Sequence, residues 1–513
     1  MIDLIVQNAK MMTTLNSKLT ERFLLAVEDE DYVEKESVNV LTQDQINAIW
    51  DVVNAMEFCT KRDDMTYDTF AKMHVTEAKV PDELIKSASE WADTAIITLS
   101  RFSAEGVDRR PQGGDYYLSG LEKDLIDKAS ALFKKVIIVI NSGATIDCEY
   151  FAENKNVQGI LFGWQGGMEG GSAIADLLCG DVTPSGKLVD TIAKSYDYYP
   201  CKDDFWECFD HVDYSDDIYV GYRYFETIPG AKDYVRFPFG FGLSYTTFEM
   251  SGKVCVESEG KIVAVVDVKN TGDVAGKETV QIYVSSPYTQ YDKDNNVEKA
   301  SVSLVGFDKT DILEPGASET LKIEVDGDYV ASYDAYKAGT YILDAGDYYF
   351  TAATDAHNAA NNVLAAKGYT PESTGGRMDV AGNASLVAKW NNPELDTTTY
   401  ATSDAGTEIK NQFNSSDPNM NEKVEQKVTY LTRNDWEGTM PSLKKTVKFA
   451  LNSKPTDITG EAVVNNGRIE SKEIENGVSV TYYFDEYFFH ITVDYYLEGD
   501  SVKVSLDPSK IVE

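Results

Sequence analysis

Between residues 82 and 178 one pattern recurs three times, and it limits the fold more than any other feature of the chain. An apolar run at 95–99, a β-branched run at 136–140 and a further strand pattern at 157–162 each give way to a polar or glycine-rich loop and then to helical periodicity. A helical pattern at 82–92 precedes the first run. Ser119 and Glu122 form a capping box ahead of Leu121, Leu125, Ala129, Leu132 and Phe133, which recur at helical spacing. A short helix is expected over 146–153 and another over 172–178. Runs this apolar suit strands buried on both faces, and serial strand–loop–helix units with short connections predict a parallel, doubly wound sheet. The three loops then share the carboxyl edge of the sheet, where such folds place ligands.

The first loop, RFSAEGVDRRPQGGDYYLS, holds Glu105 between an apolar strand and a glycine. A general acid needs a fixed position near its leaving group and surroundings that favour the neutral carboxyl, so Glu105 is the leading catalytic candidate on this edge. From position alone the alternative is a solvated loop carboxylate. Asp108 and Arg109 are expected to brace the loop by pairing with each other or with neighbours. The third loop, GWQGGMEGG, lacks the GxxxxGK[ST] pattern, and no GxGxxG follows the earlier strands. Its glycines are read as permitting close helix–sheet packing, with Trp164 and Glu169 lining the cleft. DIYVGYRYFET, residues 217–227, is dense in aromatics and is read as an interdomain seam.

From residue 248 the rhythm changes to short strands and tight turns. Val280, Ile282 and Val284 alternate with Gln281 and Tyr283, and turn signals such as Asn270-Thr271-Gly272-Asp273 and Glu314-Pro315-Gly316 punctuate the segment. An all-β sandwich of about 100 residues is expected. Residues 356–444, rich in Ala, Asn, Ser, Thr and Gly, read as a linker or connector. Strand patterns at 478–484, 488–497 and 502–506 predict a small β module over 445–513. Upstream, residues 42–56 read as an amphipathic helix with Thr42 and Gln45 as its capping box, within an N-terminal part, 1–79, that does not complete the sheet.

Composition excludes several partners. With 47 basic against 85 acidic side chains, a net charge of -38 opposes nucleic acid and anionic membrane, whereas a neutral ligand such as a sugar meets no such repulsion. Six scattered cysteines without a CxxC pair, in a chain large enough to need no staple, predict reduced thiols. Four separated histidines without HExxH predict neither a metal site nor a cofactor. No membrane span or signal peptide is read, so a cytoplasmic location is expected.

The segments EGVDRRPQGGDYYLS, VIIVINSGATID, GILFGWQGGMEGGSAIADLLCGDVTPSGKL, DIYVGYRYFET and FPFGFGLSYTTFE occur in this order. Together they resemble the α/β sandwich domain of glycoside hydrolase family 3, the β-glucosidase family. NTGDVAGKETVQIYV, LVGFDKT, LEPGASETL and AGDYYF are similar to that family's fibronectin type III-like domain. The resemblance covers about residues 80 to 355. It implies an α/β sandwich over 80–247, a fibronectin type III-like sandwich over 248–355, and hydrolysis of terminal β-linked glucose or a related sugar with retention. The glutamate matching SAEGVDR serves that family as general acid/base, which falls on Glu105.

A retaining mechanism also needs a nucleophilic carboxylate about 5 Å from the acid. In the family it stands on a (β/α)₈ barrel, and no eightfold strand–helix series is found in this sequence. Asn434-Asp435-Trp436 has a passing likeness to the nucleophile motif but lies in YLTRNDWEGTMP, which resembles the connector of members with reversed domain order, so Asp435 is read as structural. The nucleophile is unassigned. The expected partners are a small carbohydrate and either a separate barrel chain or a second copy. The alternatives are a non-catalytic carbohydrate-binding or structural remnant and, on topology alone, a nucleotide-binding protein.

Overall fold

The computed structural model describes residues 79–101, 111–202, 212–230, 233–256, 262–374, 377–412, 414–423 and 427–436, and then four strands within 469–512. The N-terminal part, including the helix expected over 42–56, lies outside the described residues. The described residues up to 436 form one compact unit and those from 469 a second.

Helix α1 (Asp82–Trp91) leads into strand β1 (Thr94–Ser100); α2 (Gly120–Leu132) follows, then β2 (Lys135–Asn141), α3 (Glu149–Ala152), β3 (Val157–Phe162) and α4 (Gly170–Cys179). The strands form a parallel sheet in the order β1-β2-β3, with Ile97 opposite Ile138 and Ile138 opposite Ile160. Side chains alternate across it. Ala95, Ile97, Leu99, Val136, Ile138 and Ile140 pack with α1 and α2, while Ile96, Ile137, Val139 and Leu161 meet α4. Both faces are therefore covered, which is why the middle strand β2 reads as a continuous apolar run from Val136 to Ile140.

The capping box of α2 is formed: Glu122 N donates to Ser119 Oγ at 3.2 Å and Ser119 N to Glu122 Oε2 at 2.7 Å. Its packed stripe is rotated from the expected one. Leu125, Ile126, Ala129 and Phe133 are buried, whereas Leu121 and Leu132 are 37% and 46% exposed. The short helix expected over 146–153 shrinks to α3, and Ile146 and Cys148, which precede its first residue, pack into the core.

Strands β4 (Ile192–Ala193) and β5 (Val235–Phe237) pair antiparallel, and α5 (Tyr222–Phe225) lies between them in sequence. A sandwich follows, of β6 (Phe248–Val256), β7 (Ile262–Asn270), β8 (Thr279–Ser285), β9 (Ser303–Lys309), β10 (Ser318–Val325) and β13 (Gly346–Ala353). Helix α6 (Gln290–Asn295) and the hairpin β11 (Ser332–Asp334) with β12 (Thr340–Ile342) extend its loops. One sheet runs β10-β7-β6 and the other β14-β13-β8-β9, where β14 is Val387–Asn392; Val266, Val268, Ile282, Val284, Ile323 and Phe350 share the core between them.

The segment read as a linker from residue 356 begins with ordered structure. Helix α7 (Ala356–Ala366), capped by Asp355, and strand β14 (Val387–Asn392), paired with β13, belong to the sandwich. Ala356, Ala359, Ala360 and Val363 cover the outer face of β8 and β13. For that reason Gln281 and Tyr283, which alternate with Val280, Ile282 and Val284 along the strand, are buried too.

The second unit is an antiparallel sheet, β15 (Ile469–Ile474), β16 (Gly477–Phe484), β17 (Phe489–Glu498) and β18 (Ser501–Val512), in sequence order. β18 runs past the expected end at 506. Its pairing with β17 lapses between Leu506 and Ile511, around Pro508, which has no N–H to donate. Among the described residues, no helix is long and apolar enough to cross a membrane.

Candidate active site

The carboxyl edge of the parallel sheet is where the three loops leave β1, β2 and β3. Glu105, Asp108 and Arg109 fall in 102–110, outside the described residues. The chain on either side of that segment is firmly held. Arg101, directly after β1, sends its guanidinium into five bonds: Nε to the Asp115 carbonyl at 2.6 Å, Nη1 to the Ser100 carbonyl at 2.8 Å and to Glu122 Oε1 at 2.6 Å, Nη2 to Glu122 Oε2 at 2.9 Å and to the Tyr117 carbonyl at 3.4 Å. One buried side chain thus ties the end of β1, the chain beyond residue 110 and the first turn of α2.

Beyond the segment, Gly114 N donates to the Tyr117 carbonyl and Tyr117 N to that of Gln112, a tight turn in which Gly114 takes φ 79°. Tyr116 is buried against Tyr117 and Tyr196, with ring centroids 5.1 and 5.4 Å apart, and its carbonyl accepts from Asp147 N. Asp147 stands on the loop after β2. Burial pushes its carboxyl above the ordinary range, against the lowering effect of a bond from Glu149 N–H. Sequence reading passed over this group; its place at the end of VIIVINSGATID, on the same sheet edge, was the available signal.

The glycine-rich third loop is a packing device. A Cβ on Gly166 would stand only 2.8 Å from the Cα of Gly170, so the loop can lie on the start of α4 only without a side chain there, and one on Gly163 would force Ile174 Cδ1, at 2.9 Å, to move. Trp164, at φ 49°, packs over Phe162 with centroids 5.4 Å apart. Glu169 occupies the N-cap of α4 without a side-chain capping bond.

The DIYVGYRYFET segment joins the α/β part to the sandwich. Tyr222 stacks on Phe239 at 4.6 Å and meets Tyr283 of β8 edge-on at 6.1 Å, while Tyr219 donates to Glu298. Gln281 of β8 completes the seam, donating to the carbonyls of Gly240 and Thr354 and accepting from Tyr283 Oη. Asp435 lies in a 3₁₀ turn, Arg433–Trp436, far along the chain from this sheet edge. Among the described residues no group of three or more His, Cys, Asp or Glu could hold a metal ion.

Residues 8–245 match the glycosyl hydrolase family 3 C-terminal domain and residues 278–356 the fibronectin type III-like domain. The chain is 40% identical over 316 residues to Beta-glucosidase A of Butyrivibrio fibrisolvens, an alignment covering 54% of this chain and 37% of that protein. It is 35% identical over 289 residues to an exo-alpha-(1->6)-L-arabinopyranosidase of Bifidobacterium longum, covering 55% and 36%. The structure of β-glucosidase 3B from Thermotoga neapolitana in complex with alpha-D-glucose superposes with a TM-score of 0.52 at 30% identity, over 69% of this chain and 45% of that one. The chain therefore spans less than half the length of these relatives.

Proposed function

We propose that this chain, whose residues 8–245 match the glycosyl hydrolase family 3 C-terminal domain and 278–356 the fibronectin type III-like domain, supplies the acid/base half of a β-glucosidase-type active site. The nucleophile, on this reading, comes from a barrel outside the sequence described above. Glu105 protonates the glycosidic oxygen as the bond to the sugar breaks, and later takes a proton from the water that releases the sugar from the nucleophile. Asp108 and Arg109 brace its loop. The substrate is a terminal β-linked glucose or a related sugar, a neutral ligand compatible with the net charge of -38.

The observation that carries this reading is the match of the α/β and β-sandwich domains, in the family's order, with Glu105 inside the first of them. The anchoring of Arg101 and of Gln112–Tyr117 on either side of the loop supports it. A loop-borne acid must be held to fractions of an ångström to act in step with a second carboxylate.

The test is hydrolysis of a β-linked disaccharide by the full chain mixed with a family 3 barrel, with Glu105→Gln run alongside. The substitution is expected to lower disaccharide turnover by about 10²–10⁴-fold and to spare an aryl glucoside with an activated phenol, which departs with little acid help. Equal disaccharide rates for both proteins would remove Glu105 from the role.

A further inference from the structure

Away from the sheet edge, a cavity of about 330 Å³ opens between α7, the end of β8, the residues after α5 and the turn at Arg433. In a chain with 38 more acidic than basic groups, three of its lining residues are cationic: Lys367, Arg377 and Arg433. Lys367, just past the end of α7, lies 4.7 Å over the Tyr349 ring and reaches only Ser285 Oγ, at 3.5 Å. Arg433 lies 4.9 Å over the Tyr288 ring and donates from Nη1 to the Lys299 carbonyl at 3.2 Å. Among the described residues, neither has a carboxylate in ion-pair contact.

The one carboxylate lining the cavity, Glu226, is already engaged: its Oε2 lies 2.8 Å from His357 Nδ1, and His357 Nε2 is 3.0 Å from Asp379. Asp347, the acid nearest to Lys367 in its electrostatic influence, is paired with Lys389 at 2.6 Å. The ammonium of Lys367 is held down to about 8, first by burial and then by Arg433, with Arg377 adding to the effect. Cations gathered in a partly closed cavity repel one another, and an anion placed among them removes that repulsion.

We propose that this cavity binds the phosphoryl group of a small phosphate monoester. Lys367 and Arg433, with no carboxylate in ion-pair contact among the described residues, together carry more positive charge than a single carboxylate ligand would balance, whereas a phosphate bears close to two negative charges at neutral pH. The Arg433 guanidinium, with N–H groups beyond the one bound to the Lys299 carbonyl, suits planar two-point recognition of phosphate oxygens, and Lys367 supplies a point charge. A cavity of this size is at the small end of ligand sites, which sets the ligand at sugar-phosphate scale or below.

Titration calorimetry of the full chain with inorganic phosphate, at ionic strength held constant with chloride, reads the site directly. A single saturable event is expected, weakened tenfold or more by Lys367→Met or by Arg377→Gln and unchanged by Lys134→Met, which removes an exposed ammonium paired with Asp93. Acetate is expected to bind at least tenfold more weakly. A second readout needs no variant: phosphate should slow acylation of Lys367 in the unsubstituted protein, followed by peptide mass spectrometry. Heat that does not saturate, equal binding by Lys367→Met, acetate binding as tight as phosphate, or no protection of Lys367 would each overturn the assignment.

Discussion

Arg101→Met is the sharpest perturbation of the scaffold around the candidate site. The Arg101 and Glu122 side chains are only 4% and 2% exposed, and their two parallel bonds of 2.6 and 2.9 Å make the pair bidentate. Removing the guanidinium leaves the Glu122 carboxylate buried with the Ser119 amide as its remaining bond, and strips the carbonyls of Ser100, Asp115 and Tyr117 of a donor. Breaking a buried pair from one side costs about 3–5 kcal/mol, chiefly through the charge left behind. Replacing both partners, in Arg101→Met with Glu122→Leu, removes that stranded charge, so the double variant should be at least about 2 kcal/mol less destabilised than the sum of the singles. Hydrogen exchange by mass spectrometry over 112–132 reports the local opening free energy without depending on the rest of the chain. A single-variant loss below about 1 kcal/mol, or strict additivity in the double, would refute the reasoning. If the loss is found, the two flanks of the Glu105 loop share one fastening, and disaccharide hydrolysis in the barrel-complemented protein should fall with it.

Two further predictions concern the seam and the outer helix. Gln281→Leu removes the donor to Gly240 and Thr354 and the acceptor for Tyr283 Oη in a site 3% exposed, and should cost about 2–4 kcal/mol by urea unfolding; a loss under 1 kcal/mol would mean water replaces the amide. His357 carries a pH dependence: burial by itself pushes its imidazole down, but Glu226 and Asp379 carry it up to about 9, above the ordinary 6.5. The folded protein therefore holds a proton that the unfolded chain releases, so this contribution, about 3 kcal/mol, is full below pH 6.5 and fades as pH rises through 9. His357→Gln should flatten the melting-temperature profile between pH 6.5 and 9, and an unchanged slope would exclude the histidine as its source.

How much of this was legible depended on whether the signal was local. The strand at 157–162 and the capping box of Ser119 and Glu122 follow from neighbours in sequence and stand where expected. The orientation of α2 did not, because helical spacing admits two adjacent stripes, and only contact with β1 and β2 selects Ile126 over Leu121 and Leu132. At the site, Glu105 was marked by its motif, while the fastening of its flanks was not: Arg101 and Glu122 are 21 residues apart, and nothing in either neighbourhood announces the other.

Helix α7 shows the same limit most clearly. AHNAANNVLAA has the composition of a linker, yet small side chains are what let a helix lie close on β8 and β13, with Ala356 and Ala359 fully buried. Its asparagines are not solvent-facing filler. Asn362 donates to Thr351 Oγ1 and the Ala352 carbonyl and accepts from Asn383 N, and Asn361 donates to Asp379. Buried amides need partners, and here those partners lie on β13 and in the chain after the helix, so the sequence is polar where the contacts are polar and small where the backbones approach. With that helix in place Gln281 and Tyr283 must turn inward, Glu226 must find His357, and Lys367 is brought beside Ser285. The linker reading of this segment therefore concealed the cationic cavity, whose lining includes Ala360, Val363 and Leu364 of α7 and is completed only when that helix docks.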